Sequence, residues 1–147
     1  MRRRQAIAVL ALAGMFVSLY LWLHKLGLIG VLQCGTGGCD TVQASSYSVF
    51  LGLPVALYGV VGYAALFALG LVSVRQADGS WGWPDTAIAV LATTAFLFTL
   101  YLTALELFVI HAICRWCVVS AAIVTAIVVL ALLPIGRRSI GTVPPNS

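Results

Sequence analysis

The residues best suited to chemistry in this chain are four cysteines, which lie in two close pairs. Cys34 and Cys39 enclose four residues, three of them glycine, whereas Cys114 and Cys117 enclose two. Neighbouring thiols can close a disulfide, exchange it with another dithiol, or bind a metal ion. The compartment and the structural element that hold each pair decide among these chemistries.

The Cys114/Cys117 pair stands at the start of a long apolar run, where we expect a helix to begin. The free N–H groups and the positive dipole end of a helix N-terminus stabilise a thiolate, and Arg115 adds a positive charge. Both sulfurs then lie on nearly one face of the first turn. This pattern predicts a redox-active pair, and the alternative is an inert structural disulfide.

The Cys34/Cys39 pair encloses a loop whose glycines impose little conformation. Such a loop can bring one sulfur to different partners, as an electron relay requires. The alternative is a small disulfide-closed loop of modest stabilising effect, in which glycine only permits the turn.

Membrane spans are the elements that must position these pairs. The chain of 147 residues is 62% hydrophobic and 8% charged, with a mean hydropathy of +1.09, which excludes a soluble globular domain. Each uncharged run is long enough for a helix to cross roughly 30 Å of hydrocarbon. The runs cover residues 6–23, 49–74, 86–105 and 116–136.

We therefore predict an all-α integral membrane protein, a bundle of four transmembrane helices formed by residues 1–138. Residues 139–147 are expected to form a disordered cytoplasmic tail. A β-barrel is disfavoured because its strands alternate in hydrophobicity. The first run imitates a cleaved signal peptide, but it continues for ten residues past Ala13, so we expect it to be retained as a helix.

Basic residues predict the orientation of the bundle. Six of the eight lie before the first run or after the second and fourth, and only Lys25 and Arg115 lie in the other loops. The positive-inside rule then places both termini in the cytoplasm of a bacterial inner membrane and all four cysteines on its outer side. The net charge of +4 thus reflects topology, and the sequence carries no sign of nucleic-acid binding.

An oxidising outer compartment favours disulfide chemistry over metal binding. The alternative from another class is a soft-metal carrier or a zinc site built from the four sulfurs, which we do not expect. Glu106 and His111 lie close to the second pair in sequence. They are candidate ligands or proton carriers, although wetted interfacial positions are commoner for such residues.

The combined pattern resembles the vitamin K epoxide reductase family, and its bacterial members in particular. The resemblance rests on Cys34-x4-Cys39, on Ser45 six residues later, on the segment from Tyr47 to Pro54 and on the late Cys-Arg-Trp-Cys. The other quinone-linked bacterial oxidase of disulfide carriers has its C-x-x-C in the first outer loop, which is the opposite order. A membrane protein with two structural disulfides is the non-enzymatic alternative.

The resemblance implies a four-helix bundle around a quinone, menaquinone or ubiquinone, and no metal. It implies that Cys117 faces the quinone, that Cys114 receives electrons from Cys39, and that Cys34 meets a reduced thioredoxin-like, DsbA-like protein. Since the chain ends soon after residue 138, we expect that partner to be a separate protein. The family's animal enzymes have a tyrosine where this chain has Ala121, so quinone reduction is expected rather than epoxide chemistry.

Four further residues are predicted to belong to the quinone site. Ser45 matches the loop serine of the family, although it could equally cap a short helix before the second span. The aromatic residues Phe50, Phe96 and Tyr101 are expected to contact the ring, as part of an apolar pocket that Tyr58 and Phe98 can also line. The tryptophans fit an interfacial belt in the surrounding lipid.

Overall fold

The structure is a computed structural model that describes residues 2–28, 46, 49–76 and 82–141. Its helices are α1 (Arg2–Lys25), α2 (Val55–Arg75), α3 (Trp83–Leu105) and α4 (Arg115–Gly141). All four are long and apolar enough to cross a membrane. The predicted all-α bundle of four transmembrane helices is therefore confirmed. Helix α4 runs into the segment predicted to be a disordered tail, and residues 142–147 lie outside the described part of the chain.

The second helix begins at Val55, although the apolar run starts at Val49. A hairpin of β1 (Val49–Phe50) and β2 (Leu53–Pro54) occupies the difference. Its two turn residues, Leu51 and Gly52, have φ angles of 54° and 82°, the left-handed conformation that two-residue hairpins favour. Pro54 then caps α2, because a proline residue cannot donate a helical hydrogen bond.

The helices form a ring in which α1 packs on α2, α2 on α3, α3 on α4, and α4 on α1. The α1–α2 contact is the most extensive because small residues let the two backbones approach closely. A Cβ atom added to Gly14 would overlap the ring of Tyr63, and one added to Gly70 would lie 3.2 Å from the Cβ atom of Ala8. Glycine at these positions therefore sets the distance between the helices.

Buried side chains from all four helices form the main hydrophobic core. Its members are Ile7, Ala11, Tyr63, Leu66, Ile88, Ala89, Ala92, Ile127, Val128 and Ala131. A smaller cluster at the other end of the bundle contains Leu21 and Cys114. The main core joins the helices rigidly, and the smaller cluster lies where the second cysteine pair enters the bundle.

The end of the bundle at which α1 begins is here called the arginine end. It contains a buried ionic network. Asp85 is 2% exposed, and each of its carboxylate oxygens lies 3.0 Å from an arginine, Oδ1 from Arg3 and Oδ2 from Arg4. The Ser73 hydroxyl and the Gly82 backbone N–H also donate to it, at 3.0 and 3.1 Å. These arginines, expected only to orient the chain, thus also connect α1 to the other helices.

The guanidinium groups complete this network with backbone carbonyl oxygens. Arg4 donates to the carbonyl of Ser73 at 2.8 Å, at the end of α2, and Arg3 donates to that of Leu130 in α4 at 3.3 Å. Together with Asp85 of α3, the contacts reach all four helices. A buried charge in hydrocarbon is costly unless it is paired, and this network pairs it.

Candidate active site

Cys114 and Cys117 lie at the opposite end of the bundle, here called the cysteine end, where Cys114 packs beside Leu21 at the end of α1. Helix α4 begins at Arg115, within the C-x-x-C segment, as expected from the sequence. The Cys114 carbonyl accepts the Val118 N–H at 3.0 Å, which starts the helical hydrogen bonding. Cys114 is fully buried and Cys117 is partly buried.

Hydrogen bonds to sulfur lower the pKa of the Cys114 thiol below its ordinary range. The largest cause is the hydrogen bond from the Cys117 thiol, and the backbone N–H groups of Cys117 and Trp116 add to it. Burial and the negative charge of Glu106 act in the opposite direction. The Arg115 side chain is exposed, so the helix N-terminus and the second thiol, rather than this cation, activate Cys114.

Glu106 lies directly beside the cysteine pair. A π-helical turn (Glu106–Ile110) follows α3 and ends at His111, which has a positive φ of 56°. Single π turns are frequent at functional sites because they redirect side chains. Glu106 is only 7% exposed, so the interfacial, wetted position expected for it is wrong, whereas His111 is exposed as expected.

The Glu106 carboxylate contacts both members of the pair. Its Oε2 atom accepts the backbone N–H of Cys114 at 3.3 Å, and the carboxylate also lies within hydrogen-bonding reach of the Cys117 thiol, whose single proton can be donated either to Glu106 or to the Cys114 sulfur. The sequence favoured an interfacial position for Glu106 over a functional role. The feature that could have indicated a role is an acidic residue near the end of an apolar span. Its burial depends on the π turn, which the sequence pattern does not reveal.

A cavity of about 450 Å³ opens between the helices at the cysteine end, and all four helices contribute to its wall. The wall is mainly apolar, with Cys117, Glu106 and Ser120 among its polar members. The Tyr63 hydroxyl, which lines the same cavity, donates to the Ser120 carbonyl at 2.9 Å. A pocket of this size, with an apolar wall and a few converging polar groups, suits a flat lipid-soluble ring with polar oxygens.

The predicted aromatic residues take three different positions. Phe50 lines the cavity, and its ring meets Tyr58 and Phe98 edge-on, with centroids 6.0 and 5.8 Å apart. Tyr101 is half exposed and stacks on Phe98 at 6.3 Å, outside the described cavity wall. Phe96 packs against the main hydrophobic core instead. Their roles as quinone contacts stay predictions.

The remaining predicted site residues, Cys34, Cys39 and Ser45, lie outside the residues that the structure describes. Within the described ranges, no three His, Cys, Asp or Glu side chains are grouped as metal ligands would be. The four-sulfur metal site also requires the first cysteine pair, so that alternative involves residues beyond those described. What the structure does bring together is the Cys114/Cys117 pair, Glu106 and the cavity.

The comparison with known proteins agrees with this arrangement. The sequence model of the Vitamin K epoxide reductase family matches residues 5–132, which extend from the arginine end of α1 almost to the end of the apolar part of α4. Proteins of this family are membrane oxidoreductases that act on thiols and quinones. The matched range includes all four cysteines and Glu106.

Proposed function

The chain belongs to the vitamin K epoxide reductase family, and from that premise we propose that it is a membrane thiol:quinone oxidoreductase that reoxidises a separate thioredoxin-like, DsbA-like protein. Electrons pass from that partner to Cys34/Cys39, then to Cys114/Cys117, and finally to menaquinone or ubiquinone. The observation that carries the proposal is the Cys117 thiol on the wall of an apolar cavity, beside a second thiol of lowered pKa.

The segment that contains the first cysteine pair is joined to the bundle near the second pair. Residues 29–48 connect the last turn of α1 with strand β1, and both of these flanks lie at the cysteine end of the bundle. Leu21 of α1 packs with Cys114, and Phe50 of β1 lines the cavity that contains Cys117. The connectivity of the chain therefore supports a relay from Cys39 to Cys114.

Each transfer between thiol pairs is a disulfide exchange. A partner thiolate attacks the Cys34–Cys39 disulfide, and the second partner thiol then closes the partner's disulfide and leaves both loop thiols reduced. The Cys39 thiolate attacks the sulfur of Cys114 and displaces Cys117 as a thiolate. Cys34 next attacks Cys39, which releases Cys114, and the lowered pKa of Cys114 makes it a good leaving group in this step.

The quinone serves as the two-electron acceptor, and the cavity offers it suitable surroundings. The aromatic rings of Phe50 and Phe98 can pack against an apolar ring, while Cys117 and Glu106 lie where its polar oxygens need partners. Ser45, Phe96 and Tyr101 complete the proposed set of quinone contacts.

The proposed orientation puts the arginine end in the cytoplasm and the cysteine end on the outer side of a bacterial inner membrane. The start of α1 and the C-terminal half of α4 lie at the same end of the bundle, since Arg3 donates to the Leu130 carbonyl. A chain that crosses the membrane four times has both termini on one side. An outer cysteine end places the first pair where disulfide-forming proteins work. Both chain termini are then cytoplasmic.

The test is quinone reduction by the purified protein in lipid nanodiscs, with a reduced thioredoxin-like donor. We expect turnover by the wild type and none by Cys117→Ala. The Cys39→Ala variant should lose activity with the protein donor but keep activity with a small membrane-permeant dithiol, because only the relay is broken. Val118→Ala, next to Cys117 but exposed, is the matched control and should remain active.

Two outcomes would overturn the proposal. A wild-type protein that reduces no quinone with either donor would exclude the activity. Equal rates for the wild type and Cys117→Ala would exclude the thiol pair as the source of electrons.

A further inference from the structure

The two buried carboxylates of the described chain have different surroundings. Asp85 is held by two arginines, whereas the polar contacts of Glu106 come from a backbone N–H and a thiol. No cation among the described residues forms an ion pair with Glu106. An acid with 7% exposure and no paired cation is costly to keep in an apolar cavity, which points to a role in chemistry rather than in stability.

The position of Glu106 connects the thiols to the cavity. Its carboxylate lies within hydrogen-bonding reach of the Cys117 thiol and also lines the cavity, so it can reach both the proton donor and a molecule bound there. The N–H of Cys114 fixes Oε2 at 3.3 Å, and the π turn fixes the backbone. A proton carrier needs these two contacts, one on each side.

We propose that Glu106 is the catalytic proton carrier of the quinone-reducing step, which takes the proton of the Cys117 thiol and delivers it to the bound quinone. This inference rests on the proposed function. The dithiol loses two electrons and two protons as the Cys114–Cys117 disulfide forms, and the quinone gains the same number to become quinol. One proton travels from Cys117 through Glu106 to the quinone. The other leaves Cys114 for water when its thiolate forms, and the second quinol hydroxyl takes one proton from water, so two protons are released and two are taken up.

Among the residues that the structure describes, few other titratable groups face this carboxylate. Cys114 and Cys117 approach it from α4, and Tyr58 and Tyr63 of α2 line the same cavity. Of the described residues that line the cavity, none is a lysine, an arginine or a histidine, and the nearby His111 is exposed.

The first test compares two half-reactions of Glu106→Gln, which keeps an oxygen acceptor for the Cys114 N–H but cannot carry the proton. We expect oxidation of the reduced protein by quinone to slow by about 100-fold or more, the usual contribution of a general acid–base group. Reduction of the oxidised, quinone-free protein by a small dithiol should stay within about threefold of wild type, since exchange among sulfurs does not need the quinone.

The second test needs no quinone. In the infrared spectrum of the reduced protein, the S–H stretching band that disappears in Cys117→Ser should move to higher wavenumber in Glu106→Gln, because a neutral amide oxygen accepts more weakly than a carboxylate. Asp85→Asn is the matched control, since it neutralises the other buried carboxylate at the far end of the bundle. It should leave the band in place.

The outcomes separate this inference from the proposed function. An inactive wild type would overturn both. If the wild type reduces quinone and Glu106→Gln does so equally well, or if the Cys117 band does not move, Glu106 carries no proton and only this inference fails. An equal slowing of both half-reactions would assign Glu106 a merely structural role and would also overturn it.

Discussion

The two ends of the bundle bury their carboxylates in opposite ways. At the arginine end, Asp85 accepts hydrogen bonds from two guanidinium groups, a hydroxyl and a backbone N–H. At the cysteine end, Glu106 meets a backbone N–H and a thiol beside a cavity of about 450 Å³. The contacts of Asp85 pair its negative charge with cations. The contacts of Glu106 include no cation among the described residues, and we infer that this carboxylate gains and loses a proton.

A small membrane protein can thus combine a structural end, here the arginine end, with a reactive end, here the cysteine end. The paired network connects all four helices and satisfies the buried charges of Asp85 and Arg4 at the arginine end. In the part of the chain that the structure describes, the cysteine end contains the hairpin, the π turn and the two residues other than glycine with positive φ, Leu51 and His111. Irregular backbone is thus concentrated where the proposed chemistry occurs, a common location for strain.

The largest loss of stability should follow from removing the Asp85 carboxylate, whose charge is paired with two arginines. Asp85→Ala leaves buried Arg4 without its carboxylate, which we expect to lower the free energy of unfolding by about 3–5 kcal/mol. Unfolding by denaturant in detergent micelles measures it. Asp85→Asn, which keeps a hydrogen-bonding side chain, should cost less. Wild-type stability for Asp85→Ala would show that the arginine end is not held by its charges.

A smaller loss should come from the α1–α2 contact between the two ends. In Gly14→Val the new side chain meets the Tyr63 ring, because even a Cβ atom at this position would overlap it. Overpacking of this kind costs about 1–3 kcal/mol, measurable by the same unfolding experiment. Gly62→Ala is the control, since its Cβ atom would meet nothing within 4 Å. Equal stabilities for the two variants would contradict the close packing.

The pH dependence of Cys114 probes the cysteine end. Since its pKa is lowered, the thiolate persists to a lower pH than in an ordinary cysteine, and reactivity falls only as the pH drops through that lowered pKa. Cys117→Ala removes the strongest hydrogen bond to the sulfur. We therefore expect the Cys114 pKa to rise and alkylation at neutral pH to slow by about tenfold.

Alkylation by a small reagent, with the modified residue identified by mass spectrometry, gives this rate as a function of pH. Cys117→Ser keeps a hydroxyl donor and should show a smaller change. An unchanged midpoint in Cys117→Ala would mean that the helix N-terminus alone activates Cys114.

The smallest effect should arise at the inner wall of the cavity. Tyr63→Phe removes the hydroxyl that donates to the Ser120 carbonyl at 2.9 Å, at a cost of about 1 kcal/mol in unfolding free energy. Tyr58→Phe is the comparison, since its hydroxyl donates to the Phe50 carbonyl in an exposed bond at 2.9 Å and should matter less. A larger loss in Tyr58→Phe would reverse the ranking of the two contacts.

Much of the fold and part of the site followed from the sequence. The length of each apolar run predicted a span, and the alternation of spans put both ends of the chain opposite the second cysteine pair. The start of α2 was displaced to Val55 because Gly52 and Pro54 favour a turn before the helix, a local signal that an uncharged run conceals. The position of Cys114 and Cys117 at a helix start was also a local property.

The sequence by itself determined the number of spans and the position of the Cys114/Cys117 pair at the start of the fourth, because hydrophobic length and residue spacing act along the chain. Tertiary structure alone decided that Asp85 is neutralised by Arg3 and Arg4, and that Glu106 faces Cys117. It likewise put Phe50 on the cavity wall and Phe96 against the core. These contacts depend on how each helix is rotated against its neighbours, and that rotation is set by packing between residues distant in sequence.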